Sequence, residues 1–431
     1  MAAKPHPQSY YAASAHPTPE HPVLSGDIEC DVCVVGGGIA GCSSALHLTE
    51  RGYKVALLEE HRIGWGASGR SGAQAIYGVA AGQAKLERLL GPAAARLIWD
   101  VSIEGLRLIR ELIARHAIDC DWVSGHLLTA IKPRHDHELH AELEELRGKY
   151  DYQSVRYVPR DEVRSLLATE RYLGAMYDSQ SGHLHTLNYT LGIAAAAARQ
   201  GARLFTGTRA LDFTSEPHSS GERIRVRTAQ GTVRTRYLVL CGNVYLGETA
   251  PALASKIMAV ATYIVATEPL GAARARGLIA NNAAVTDMNW VLDYFRLSAD
   301  HRLLFGGRVN YSGLTSFDAP SATRARMLKV FPQLADVRID YAWGGDVDIT
   351  LNRAPHFGRL PPNVYFVQGF SGHGIALTGI AGKLIAEAIA GTAERFDVFA
   401  RIPHANFPGG AALRRPALVL AMLYYRIRDL L

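Results

Sequence analysis

Apolar residues in this chain switch between two rhythms, and the switches outline a strand–helix–strand unit near its start. Val32-Cys33-Val34-Val35 is an unbroken apolar run, the pattern of a strand buried on both faces. A small-residue stretch with helical spacing follows from Ile39, and Lys54-Val55-Ala56-Leu57-Leu58-Glu59 is a second apolar run. Residues 85–116 carry an apolar stripe through Leu86, Leu90, Ile98, Val101, Leu106, Ile109 and Leu112, predicting one long helix. Further strands are expected at 125–131, 203–205, 209–213, 223–228, 232–241, 262–267, 290–297 and 302–307. Helices are expected at 136–150, 161–168 and 194–200. Near the end, Val364–Gln368 is apolar, Gly369-Phe370-Ser371-Gly372-His373-Gly374 is a turn, and a helix is expected over 375–390.

The junctions carry the chemistry. Gly36-Gly37-Gly38-Ile39-Ala40-Gly41 is a G-x-G-x-x-G turn between strand and helix. Gly36 permits the tight turn, Gly38 lets a pyrophosphate approach, and Gly41 brings helix and strand together. Glu59 ends the next strand, placed to accept hydrogen bonds from a ribose. An acid there favours an unphosphorylated ribose over NADP. The loop from His61 to Gln74 is rich in Gly, Ser and Ala, as expected of backbone lying against a cofactor. The later turn opens a helix at Gly374, whose free N–H groups suit the anionic end of a reduced flavin. A ligand shared by two turns so far apart in sequence is long and two-ended, which favours FAD over NAD.

The expected cofactor-binding residues are Gly36, Gly38, Ile39, Ala40, Glu59, Glu60, Arg62, Gly66, Ala67, Ser68, Gly72, Ala73, Gln74, Ala210, Cys241, Gly242, Gly372, His373, Gly374 and Ile375. The fold class is α/β (α+β). A Rossmann-like FAD-binding domain is expected from 1–85, 170–250 and 340–431, and an antiparallel-sheet substrate domain from 86–169 and 251–339.

Composition narrows the partners. A content of 48% hydrophobic and 20% charged residues suits a soluble globular protein, and 431 residues suffice for two domains. A net charge of +6, spread along the chain without basic blocks, argues against nucleic acid. Five cysteines fit a reduced, cytoplasmic compartment. Cys30 and Cys33 lie in one strand at an odd separation, which predicts opposite faces and no redox or metal pair. His183 and His185 share spacing for one face but lack a third ligand nearby, so no metal is expected. Residues 1–26 have no apolar core and are not read as a secretory signal; Tyr10 and Tyr11 favour an arm packed on the body. The apolar stretch 416–431 is too short to span a bilayer and reads as a packed helix or an interfacial one.

With these motifs in place, the chain resembles the D-amino-acid oxidase superfamily of flavoproteins. It is most similar to the γ-glutamylputrescine oxidoreductase group of bacterial polyamine catabolism. The narrower resemblance rests on Ile63-Gly64-Trp65-Gly66-Ala67-Ser68-Gly69-Arg70, Gly182-His183-Leu184-His185-Thr186-Leu187-Asn188-Tyr189, Ala266-Thr267-Glu268-Pro269-Leu270, Phe407-Pro408-Gly409-Gly410 and the closing Leu423–Leu431 stretch. Ser71 and Ala73 stand where the group has Asn and Gly. Relatives of the sarcosine-oxidase type clamp a substrate carboxylate with Arg and Lys, at positions matching Ala73 or Gln74 and Ala376 here. The resemblance therefore implies an amine substrate in place of a plain amino acid. A tethering Cys is replaced by Val347, implying non-covalent FAD. Leu304 takes the place of an oxygen-activating Lys, which leaves open a dehydrogenase passing electrons to a quinone or another carrier.

The implied reaction is two-electron oxidation of a neutral amine to an imine, which water converts to an aldehyde. His373 is the first candidate for a polar group at the flavin face; its alternative is to cap the helix. Gln74 and Tyr294 are the other candidate catalytic residues, Tyr294 with Tyr263 and Trp290 as walls for an alkyl chain. Asp346 and Asp348 are either ammonium ligands or turn residues. The expected partner is a small-molecule amine, without nucleic acid, and membrane contact through the C-terminal segment is the lesser alternative.

Overall fold

In the computed structural model, residues 3–219, 221–310 and 318–408 are described, the side chains of 308–310 excepted. Two sheets organise them. The first runs His356–Leu360, Val364–Gln368, Thr232–Leu240, Ile28–Val35, Val55–Leu58, Arg203–Phe205, and an antiparallel hairpin of Asp212–His218 and Gly221–Arg227 extends it from Thr232–Leu240. The five strands from Val364–Gln368 through Arg203–Phe205 are parallel, with helices on the sheet, and the Val32–Val35 run is buried.

Helices Ile39–Thr49 and Gly374–Ile389 cross on this sheet at very short range. A Cβ on Gly382 would lie 2.5 Å from the Ser44 nitrogen, and the Ser43 hydroxyl donates to the Gly379 carbonyl at 2.6 Å. The contact joins the two halves of the nucleotide unit, which lie more than 300 residues apart in the chain.

The second sheet runs Ile339–Thr350, Ile257–Thr267, Leu303–Asn310, Tyr294–Leu297, Ala284–Asp287, Val123–Ala130, Gly174–His183, Gln74–Ala75, with Val155–Pro159 on Gly174–His183. It is antiparallel except where Ala284–Asp287 meets Val123–Ala130. Sheet membership cuts across the expected segment boundaries. Strands Gln74–Ala75, Gly174–His183 and Ile339–Thr350, expected with the nucleotide unit, pair within the second sheet. Helix Pro92–His116, expected with the substrate unit, packs on the first sheet's helices, its Gly105 against the Ala376 carbonyl.

Several local expectations are corrected. The long helix breaks at Gly91, whose φ of +87° ends Gln83–Leu90 and starts Pro92–His116. A helix begins at Thr186, well before residue 194, because the His185 side chain accepts from the Asn188 N–H and caps it. The strand expected over 290–297 covers only Tyr294–Leu297; Asp287 accepts the Asn289 N–H and turns the chain before it. Cys30 and Cys33 do not face opposite ways. The Asp31 and Val32 N–H groups both donate to the Lys54 carbonyl, the alternation is interrupted, and both thiols lie in one buried cluster.

The N-terminal arm is packed, with Tyr10 and Tyr11 buried. The expected C-terminal helix and the closing Leu423–Leu431 motif lie outside the described residues. Among those described, no single helix is long and apolar enough to cross a membrane.

Candidate active site

A cavity of about 810 Å³ runs between the two sheets. Its first end is built by the G-x-G-x-x-G turn. A Cβ at Gly41 would sit 1.8 Å from the Gly36 carbonyl oxygen, so only glycine lets the helix start against the strand. Gly36 itself has φ +107° and abuts Cys241. The Glu59 carboxylate accepts the Gly37 N–H at 2.7 Å and the His61 N–H at 2.8 Å; burial pushes its pKa up, while those two donors oppose the rise.

The small-residue loop forms the adjoining wall. Ser68 Oγ accepts the Ile39 N–H at 3.0 Å, and the Ser68 carbonyl is held by the hydroxyls of Thr186 and Thr190. Trp343 Nε1 donates to the Arg70 carbonyl at 2.9 Å. Gly72 lies flat against the Tyr294 ring, where a Cβ would come within 2.5 Å. Gln74, in the edge strand of the second sheet, sends its side chain to the Ala284–Asp287 and Tyr294–Leu297 strands of that sheet.

At the other end stands the turn before Gly374–Ile389. Asp348 on the Ile339–Thr350 strand accepts the Phe370 N–H at 2.7 Å, and its carbonyl accepts the Ser371 N–H at 3.0 Å. Burial raises the Asp348 carboxyl to about 6. The helix's first N–H groups thus face the cavity at a turn with φ of +76° at Gly369, +53° at Ser371 and +94° at Gly372. His373 lines the cavity, and its side chain does not cap the helix. Burial, then the Arg353 charge, lowers it to about 4, so its imidazole is neutral at physiological pH.

Of the expected cofactor-binding and catalytic residues, all but Arg62 line this cavity, Tyr294 and His373 included; Trp290 lines it too, whereas Tyr263, expected as a wall for the alkyl chain, does not and lies against Gly344. Arg62 points away, 3.8 Å from the Glu20 carboxylate. Asp346 and Asp348 are not turn residues: they sit in a strand opposite Ala261 and Ala259. His183 and His185 serve separate ends, bonded to the Asn282 carbonyl and to Ser14, and among the described residues no His/Cys/Asp/Glu group could hold a metal. Sequence reasoning missed Thr286, Met258, Val260, Thr262 and Tyr245, which line the cavity from strands and a short turn without any motif.

The residues present fit FAD. The glycine cradle accepts a pyrophosphate, Glu59 faces the ribose position, and the Gly374 helix end suits the flavin pyrimidine edge. A cavity lined at once by the Gly36–Gly38 turn and the Gly372–Gly374 turn is the arrangement of a flavin-dependent oxidoreductase. The FAD dependent oxidoreductase family model (DAO) matches residues 31–388, and the chain belongs to this family. It is 43% identical to the γ-glutamylputrescine oxidoreductase of Escherichia coli, over 98% of each chain. It is 38% identical to a probable oxidoreductase OrdL of Haemophilus influenzae, over 100% of this chain and 99% of that one. The fold matches L-proline dehydrogenase from P. horikoshii with a TM-score of 0.70 at 20% identity, covering 87% and 96% of the two chains. The protein is therefore an FAD-dependent oxidoreductase.

Proposed function

We propose that the protein oxidises the terminal amine of an acylated diamine, with γ-glutamylputrescine as the first candidate. The observation that carries this reading is the state of Gln74. Its amide nitrogen donates to the Val285 and Phe295 carbonyls at 3.0 and 3.4 Å, and its oxygen accepts the Thr286 hydroxyl at 2.6 Å. Nothing on Gln74 remains to hold a substrate α-carboxylate, and Ala376 is buried beneath the neighbouring helix. The surrounding lining of Met258, Val260, Leu292 and Tyr294 suits an alkyl chain.

FAD held by the two glycine turns would supply the redox chemistry, accepting a hydride from the amine's α-C–H so that the resulting iminium could be hydrolysed by water to aldehyde and ammonium. The protein's own groups orient the amine. The neutral His373 imidazole, which lines the cavity at the start of the Gly374–Ile389 helix, would offer the amine a polar contact. Tyr294, fixed between Gly72 and Gly306, walls the alkyl path. Gln74 acts as a positioning residue that ties the loop to the second sheet. Val347 offers no sulfur for a link to the flavin, which supports non-covalent binding. Five free cysteines support a cytoplasmic location. A specific observation favours an acceptor other than oxygen: Leu304 is buried in an apolar cluster with Tyr11 and Trp343, and its cross-strand neighbour Arg296 is taken up by the Tyr11 hydroxyl and the Gly72 carbonyl.

The test is anaerobic bleaching of the flavin by a panel of amines, followed by reoxidation in air. Faster bleaching by γ-glutamylputrescine than by sarcosine, glycine or proline is expected, and the reverse order overturns the reading. Slow reoxidation in air is expected for the carrier-linked enzyme, rapid reoxidation for an oxidase.

A further inference from the structure

The segment that precedes the first strand lies outside residues 31–388, yet it runs against the walls of the cofactor cavity. It leaves and rejoins the body at one place. A Cβ on Gly207 would meet Val23 at 3.2 Å and Ala3 at 3.5 Å. Close by, the Thr206 N–H and hydroxyl donate to the Pro22 and His21 carbonyls, and the Leu24 N–H donates to Thr208 Oγ1 at 3.0 Å.

Between these anchors the chain makes a circuit around the small-residue loop. Lys4 is among the residues that line the cavity. Trp65, another lining residue, donates its indole N–H to the Pro5 carbonyl at 3.0 Å. Tyr10 and Tyr11 then sink into a cluster with Ala73 and Trp343. The Tyr11 hydroxyl accepts from Arg296 Nη2 at 2.9 Å, and the same guanidinium donates through Nε to the Gly72 carbonyl at 3.3 Å. The return path is pinned where the His16 N–H donates to Asn188 Oδ1 at 2.9 Å. The arm thus bears on the nucleotide end through Lys4 and Trp65, and on the wall at Gly72 through Tyr11.

We propose that residues 3–24 are part of the FAD site: a strap laid over the cavity, in which Lys4 provides a cation for the cofactor's diphosphate. The charges argue for Lys4 in particular. Arg62 is engaged by Glu20 and Arg209 by Glu60, at 3.8 and 3.7 Å, whereas Lys4 makes no ion pair among the described residues. An ammonium without a carboxylate at the rim of a cavity that takes an anionic dinucleotide is attractive to that anion and selective against neutral occupants. The strap also gives a release order: FAD leaves only after the arm lifts from Trp65.

Two measurements on the holoenzyme test this, both read from free-FAD fluorescence: the dissociation rate after dilution, and the Kd from titrating apoprotein with FAD. Lys4→Met is expected to raise Kd about three- to tenfold, the span of one partly exposed charge contact, with the effect shrinking at high salt. Lys4→Arg is expected to restore wild-type binding. Removal of residues 2–24 is expected to speed FAD release about tenfold or more, with far-UV circular dichroism unchanged. Should that truncation fail to fold, Trp65→Phe, which removes the bond to Pro5 and keeps an aromatic ring against His61, Tyr245 and Arg70, is expected to speed release by a smaller factor. FAD release and Kd in Lys4→Met and Trp65→Phe within twofold of wild type would overturn the proposal. So would a Lys4→Met effect that salt leaves unchanged. Because the readout is FAD binding alone, failure here leaves the amine reading untouched, and failure of the amine reading leaves this one.

Discussion

Replacing Asp348 by Asn should stabilise the protein at neutral pH and do so less at acid pH. The carboxyl is buried on the Ile339–Thr350 strand and accepts the Phe370 N–H. Burial is the dominant influence on it, with the Phe370 N–H and Asn243 opposing, and its folded pKa stands at about 6 against 3.8 for an unperturbed aspartate. The fold therefore prefers the protonated form. The corresponding stabilisation is fully present below 3.8 and is lost as pH rises through about 6. At 1.36 kcal/mol per unit, the whole effect is about 3 kcal/mol. About 2 kcal/mol of that falls between pH 4.5 and 7.5. Asparagine keeps an oxygen for the Phe370 N–H and never ionises. Urea unfolding of both apoproteins at the two pH values is the assay. Asp348→Asn relative to wild type should gain about 2 kcal/mol on going from pH 4.5 to 7.5. Asp348→Ala, which strands the Phe370 N–H, should lose about 1–3 kcal/mol relative to Asp348→Asn at both. An equal difference between Asp348→Asn and wild type at the two pH values would refute the reasoning, because it would mean ionisation of this carboxyl costs the fold nothing.

Two further outcomes follow from the cavity. Gly41→Ala puts a Cβ 1.8 Å from the Gly36 oxygen, so helix and strand must part; FAD affinity should fall at least about tenfold with about 1–3 kcal/mol of stability, while Gly148→Ala, with open space around it, changes neither. Isothermal titration with FAD checks both. His373, lowered to about 4 first by burial, is neutral throughout the working range; the rate of anaerobic flavin reduction should then rise with pH as the amine substrate loses its proton, without an inflection near 6–7. An inflection there that vanishes in His373→Gln would show that the imidazole titrates in the working range.

What was legible in the chain is what glycine makes local. Gly36, Gly41 and Gly372 are needed for reasons confined to a few neighbouring residues, namely a positive φ or a backbone in the way, so their spacing alone announces the turn. Gly91 obeys the same logic and is hidden only because the apolar stripe continues past it. Other features depend on partners distant in sequence. His185 is an unusual cap whose other nitrogen meets Ser14. The Cys30–Cys33 orientation turns on a doubled hydrogen bond to Lys54. Arg62 has the position of a cofactor ligand, but Glu20 on the arm draws it away.

The substrate end depends on distant partners still more. Thr286, Tyr294 and Asp348 come from three strands of the second sheet, and what each does is decided by cross-strand neighbours. Thr286 matters because its hydroxyl occupies Gln74, and Gln74 matters because it is thereby unable to act as a carboxylate ligand. Neither fact has a sequence signature, since threonine and glutamine at those positions are equally compatible with a free amide. The cofactor end therefore reads from motifs, whereas substrate choice is written in hydrogen bonds that close off one group from another. It follows that variants meant to alter the substrate belong at the Gln74–Thr286 contact. Freeing the Gln74 oxygen by Thr286→Val returns a polar group to the cavity wall without touching either glycine turn.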